Sequence, residues 1–128
     1  MTYYFARKID VPFAEAVART KAALSAQGFG VLSEIDVAAT LKAKMGADLA
    51  PYLILGACNP QFAHRALLAE PKIGTMLPCN VIVQEKEPGK IEVSAVDPIA
   101  SMQAIENTGL KDIAEQVREK LKRVIDLI

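Results

Sequence analysis

The chain carries one histidine, His64, and its two cysteines, Cys58 and Cys79, lie far apart rather than in a Cys-x-x-Cys pair. A lone imidazole excludes a multi-histidine metal site within one chain, and the cysteine spacing removes the zinc-ribbon and thioredoxin signatures. An excess of either charge is also missing. Lys plus Arg and Asp plus Glu each number 15. Nucleic-acid binding by phosphate neutralisation needs a basic excess on some face, so no nucleic-acid partner is expected. The one basic cluster, Lys111, Arg118, Lys120, Lys122 and Arg123, is interleaved with Glu115, Glu119 and Asp126, the pattern of a solvated helix face.

Long apolar runs are absent too. The longest, Leu49 to Cys58, contains Pro51 and is far too short to span a bilayer, so no membrane partner is expected. The start meets charge at Arg7 before any apolar signal region develops. The expected compartment is therefore the cytoplasm, with both cysteines as thiols. Neither a GxGxxG fingerprint, a Walker loop, a GxSxG elbow nor an HExxH pair occurs, and no repeat or low-complexity segment interrupts the chain.

The sequence has 128 residues, 52% of them apolar and 23% charged, which fits one α/β domain over 1–128 with its own core. Tyr3 to Ile9 reads as a strand with Tyr3, Phe5 and Ile9 on one face. Asp10 is placed to cap a helix with Pro12 in its first turn, Phe13, Val17, Thr20 and Leu24 on its apolar stripe and Gly28 as its stop. Phe29, Val31 and Ile35 alternate with polar residues as a second strand, and a short helix follows over about Val37 to Met45, closed at Gly46.

Tyr52 to Ala57 is apolar on both faces, with Leu53, Leu55 and Ala57 on one and Tyr52 and Ile54 on the other. Such a strand belongs in the middle of a sheet. Asn59 and Pro60 make a helix start, and Pro71 ends that helix. Cys79 to Lys86 and Ile91 to Val96 form a hairpin through Glu87-Pro88-Gly89-Lys90, which suits a type II turn. Thr108 is placed to cap a last helix carrying Leu110, Ile113, Val117, Leu121, Val124 and Ile128 as one stripe. The methionines Met1, Met45, Met76 and Met102 form no stripe and read as core filler or termini.

The resulting order is β-α-β-α-β-α-β-β-α, expected as a mixed β-sheet with helices packed on it. If the helices share one face, the apolar other side of the Tyr52 strand needs a cover. A second subunit is the simplest, which makes a homodimer the expected assembly.

Chemistry concentrates at Gly56-Ala57-Cys58-Asn59-Pro60. A thiol at a strand end, just before a helix N-terminus, meets unpaired N–H groups and the positive end of the helix dipole. That position favours a thiolate at Cys58 or an anionic ligand held beside Asn59, and it equally suits a small buried structural cysteine. His64 lies on the following helix, where a pairing with Cys58 would give an activated nucleophile or two metal ligands. The spacing does not put the two on one helical face, so a surface histidine is the default. Cys79 opens the next strand, with Asn80 beside it. Antiparallel strands would let Cys79 face Cys58, whereas parallel ones would hold the two at opposite sheet edges.

Together Gly56-Ala57-Cys58-Asn59-Pro60, Ala63-His64-Arg65-Ala66-Leu67 and Leu77-Pro78-Cys79-Asn80-Val81-Ile82-Val83 resemble the bacterial and archaeal "domain of unknown function 302" family. The resemblance runs from Asp10-Val11-Pro12-Phe13 through Gly28-Phe29-Gly30-Val31 to Val96-Asp97-Pro98. It implies a small α/β domain that pairs as a dimer. It implies no reaction, substrate or cofactor, so whether the chain is an enzyme stays open.

Two functional classes follow. In the first, Cys58 and Cys79 form a thiol site for redox sensing, sulfur-group carriage or soft-metal binding, since thiolates serve all three. In the second, a non-catalytic dimeric module binds a small molecule near the Asn59-Pro60 helix start. A third reading makes the dimer itself the functional unit.

Overall fold

Alternation in the strand Tyr52–Cys58 sets the two sides of the protein. In a computed structural model, which describes residues 2–128, Leu55 and Ala57 are buried beneath helices, while Tyr52 and Ile54 lie half-buried on the opposite face. The strands are β1 (Tyr4–Ile9), β2 (Gly30–Asp36), β3 (Tyr52–Cys58), β4 (Cys79–Glu87) and β5 (Lys90–Val96). The helices are α1 (Phe13–Ala26), α2 (Val37–Met45), α3 (Pro60–Ala69), α4 (Pro98–Ser101) and α5 (Thr108–Leu127), with a 3-10 turn over Pro71–Met76.

The sheet order is β1-β5-β4-β3-β2, and every neighbouring pair is antiparallel. The α/β class stands, but the sheet is not mixed. A helical excursion usually serves a parallel crossover. Here α2, and likewise α3 with its 3-10 turn, returns the chain beside the strand it left and running the opposite way. β3 is an interior strand, with β4 rather than β3 at the centre.

Helices α1 and α5 cover one sheet face, and α3 and α4 pack against α5. Leu24 and Thr20 of α1, Leu121 and Val124 of α5, and Val81, Val83 and Val93 of the sheet are fully buried between them. The hydroxyl of Thr20 donates to the Ala16 carbonyl at 2.7 Å, which satisfies its only polar group in the core. All six residues of the expected α5 stripe are buried. Asp97 is buried as well. Its carboxylate accepts from the Ile99 amide at 3.0 Å and from Arg118 Nε at 3.3 Å, tying α4 to α5.

Several local expectations are corrected. Pro12, not Asp10, occupies the N-cap position of α1, and Asp10 instead pairs with Lys90 at 3.2 Å. Asn107 caps α5 by accepting from the Gly109 amide at 2.9 Å, so Thr108 becomes the first helical residue. Tyr3 precedes β1 and is exposed, its ring edge-on to that of Tyr4. Ile35 is 47% exposed rather than beside Val31, because the ladder slips by one residue between Val31 and Ser33. A bulge moves every later side chain to the other face. The same slip turns Glu34 towards α1, where it meets Lys21 at 2.9 Å. Met45 and Met76 are exposed, not core filler, and Met1 lies outside the described residues.

Candidate functional site: an apolar cavity at the head of α3

Because β3 and β4 are antiparallel, the end of one lies beside the start of the other. Ala57 faces Cys79 across the ladder, and Gly56 faces Asn80. Cys58 is therefore one position from the partner of Cys79, and the two cysteines share one end of the sheet. Both are free thiols and both are half-buried. Burial pushes the Cys79 thiol from its ordinary 9.0 up to about 11, and the nearby Cys58 charge adds to the effect.

Cys58 and Cys79 line one cavity of about 320 Å³. Its walls come from the sheet end (Phe29, Ala57, Leu77), the inner side of α3 (Phe62, Ala63, Ala66) and α5 (Leu110, Ile113, Ala114, Val117). Alanines at 57, 63, 66 and 114 leave the space that larger side chains would fill. Besides Asn59 and the two thiols, the lining side chains are hydrocarbon apart from the thioether of Met102, and no carboxylate or imidazole is among them. A larger, more open depression of about 730 Å³ beside residues 102–107 shares Met102, Leu110 and Ala114 with it.

Gly56 shapes the sheet end. A Cβ there would collide with the Ser33 hydroxyl and lie 2.8 Å from Pro78 Cγ. The bulge side chain and the Pro78 ring, which follows a cis Leu77–Pro78 bond, can therefore close over β3 only because residue 56 has no side chain.

Asn59 sits at the N-cap position of α3 without giving a side-chain cap. Its Nδ2 lies 3.5 Å from the Gln27 carbonyl, so it leans towards the α1–β2 turn. Its side-chain oxygen accepts from no first-turn amide of α3, so that helix end has no side-chain cap beside Cys58.

The structure brings three of the five expected site residues, Cys58, Asn59 and Cys79, to this cavity. The other two lie elsewhere. His64 is exposed on α3 and outside the lining, so no Cys58–His64 pair forms. Asn80 is exposed on the far face of the sheet, because successive residues of a strand alternate faces. The wall residues Phe62, Ala66 and Ala114 were not identifiable as lining from the sequence. Ala66 and Ala114 signalled only small residues on two helix faces, which equally marks tight packing, and Phe62 read as an ordinary apolar helix residue.

A family model described as Domain of unknown function DUF302 matches residues 5–128. The chain belongs to the DUF302 family. Its fold matches the crystal structure of an uncharacterized conserved DUF302 protein from Bacillus stearothermophilus, with TM-score 0.90, 29% identity and 98% of each chain covered. An uncharacterized protein of Aquifex aeolicus (strain VF5) is 27% identical over 94 residues, which is 73% of this DUF302 chain. The chain spans 59% of that relative's length.

Proposed function

We propose that this DUF302 protein is a small-ligand binding module whose site is the cavity at the head of α3. The observation that supports it is the cavity itself: about 320 Å³, lined mostly by hydrocarbon side chains, with Asn59, Cys58 and Cys79 among the few polar or sulfur-bearing residues of its wall. Ligand pockets combine such an apolar body with a few convergent polar groups, and this one is at the small end of their range. The wall chemistry selects a compact apolar molecule over an anion. A thermal-shift screen of small apolar compounds, with displacement of an environment-sensitive apolar dye, tests the reading. A true ligand at about 100 times its Kd stabilises the fold by about 2.7 kcal/mol. A screen in which neither the dye nor any compound binds overturns it.

The assembly we propose is a homodimer through the open sheet face. Ile35, Ile54 and Ile82 form a cross-strand row on the face away from α1 and α5, with Tyr4 and Tyr52 on the same surface. Lys8 and Glu92 face each other on the same surface, so a two-fold copy can meet opposite charge with opposite charge. We place the protein in the cytoplasm. No helix of the described residues is long and apolar enough to cross a membrane.

A further inference from the structure

The chain has no tryptophan and three tyrosines, and Tyr3, Tyr4 and Tyr52 all border one depression of about 450 Å³ on the sheet face away from α1 and α5. We propose that this depression is a second ligand site, for a neutral hydroxylated ring of monosaccharide size. Strand register lays out its surface. Tyr4 lies opposite Val96, Ser94 opposite Ile82, and Glu92 opposite Gln84, which in turn faces Tyr52. These side chains point outward, because their strand neighbours Phe5, Val83, Val93 and Ala95 pack into the core on the other side. Ser94 and Ile82 form the middle row, with Tyr4 on one side and Glu92, Gln84 and Tyr52 on the other. Tyr3, its ring edge-on to Tyr4 at 5.1 Å between centroids, extends the first side.

The polar side chains match such a ligand. Ser94 is only 6% exposed, and a hydroxyl so buried ordinarily has a partner. Those of Thr20, Thr75 and Ser101 each donate to a nearby carbonyl. Among the described residues the Ser94 hydroxyl has no such bond, and it borders the depression, where a ligand can supply one. Asn80 and Gln84 each offer donors and an acceptor, and ionised Glu92 offers acceptors only. A hydroxyl both donates and accepts, so adjacent hydroxyls on one ring satisfy this mixed set. A cation would leave the amide donors facing it. An anion is repelled by Glu92, whose cross-strand neighbour Lys8 is outside the wall. Tyrosine rings add an apolar face for the C–H groups of a sugar and a hydroxyl at the rim. The site is on the opposite sheet face from the cavity at the head of α3 and does not depend on it. The isoleucine row proposed as the dimer contact runs from Ile82 over β3 and β2, so a second copy seated there flanks the depression.

Without tryptophan, intrinsic tyrosine fluorescence reads this site directly. The full chain is titrated with D-glucose, D-galactose, D-ribose and myo-inositol, with saturation-transfer NMR alongside and choline and succinate as controls. The expected result is a saturable response to at least one of the four polyols and none to the controls. Ser94→Ala should weaken that binding by roughly two- to tenfold, the scale of one hydrogen bond, and Gln84→Ala by a similar factor. Circular dichroism checks the fold of each variant. No polyol binding by either readout, preference for choline or succinate, or undiminished binding in both variants overturns the proposal. So does a polyol that displaces the apolar dye, since that would put it in the cavity at the head of α3. Dye binding without polyol binding removes this site alone, and the reverse removes the α3-cavity reading alone.

Discussion

Cys58 stands one residue beyond Ala57, the cross-strand partner of Cys79, so that the end of β3 and the start of β4 bring both cysteines to the border of one cavity. An antiparallel return after α3 produces this relationship. It leads to the following expectations.

Alkaline stability should depend on Cys79. Its thiol ionises at about 11 in the fold and near 9.0 in the unfolded chain. A raised folded value means the contribution is complete below about pH 9 and is lost as pH rises towards 11, where the unfolded chain releases a proton that the folded chain keeps. The loss amounts to about 2–3 kcal/mol at most. Urea unfolding at pH 8 and pH 11 should show a larger fall for wild type than for Cys79→Ala. Equal falls would mean that Cys79 does not titrate in this way.

Alkylation should report the same burial. At pH 8 an uncharged reagent such as iodoacetamide should modify Cys79 slowly in the native protein and quickly in urea, since only the thiolate attacks. Mass spectrometry after timed quenching measures the ratio. Native and unfolded rates that agree would contradict a desolvated thiol.

Gly56→Ala should destabilise the fold by about 1–3 kcal/mol, because the new Cβ meets the Ser33 hydroxyl and the Pro78 ring. Adding Ser33→Ala removes one collision and should recover part of the loss, leaving that of the proline. Thermal melts of the single and double variants measure this. A neutral single variant would show that the Ser33 and Pro78 packing gives way freely.

Filling the cavity should separate binding from folding. Ala63 is half-buried on the wall, and Ala63→Phe places a ring into the space. Dye displacement should vanish while the melting temperature holds or rises. Retained dye binding would place the dye elsewhere.

Light scattering at micromolar concentration should give twice the 13.8 kDa chain mass, and Ile82→Arg should give the monomer. Ile82 pairs with Ile54 at the centre of the open face, where a guanidinium would be buried without a partner in the dimer. A wild-type monomer would dismiss this assembly.

Tight DNA or RNA binding is not expected. Arg118 is engaged by Asp97 and Glu119, and Lys122 also reaches Glu119. A salt-sensitive mobility shift at physiological salt would contradict it.

Period and punctuation along the chain encode its elements locally. Apolar residues at helical spacing put the α5 stripe under the sheet, alternation in Tyr52–Ala57 marked a strand with two apolar faces, and Gly28, Gly46 and Gly89 ended elements at positive φ. Pro60 and Pro71 bounded α3 for the same local reason. The remaining features depend on how those elements meet. A strand's direction relative to its neighbour depends on where a connection lands, and no local pattern in residues 59–78 states whether the chain comes back antiparallel. The one-residue slip after Val31 reversed the faces of Glu34 and Ile35, because a bulge is favoured by the ladder opposite it rather than by its own residues. The cavity, too, exists only between elements: Ala63 and Ala114 are unremarkable small residues until α3 and α5 face each other, and the shortness of both side chains then becomes a space.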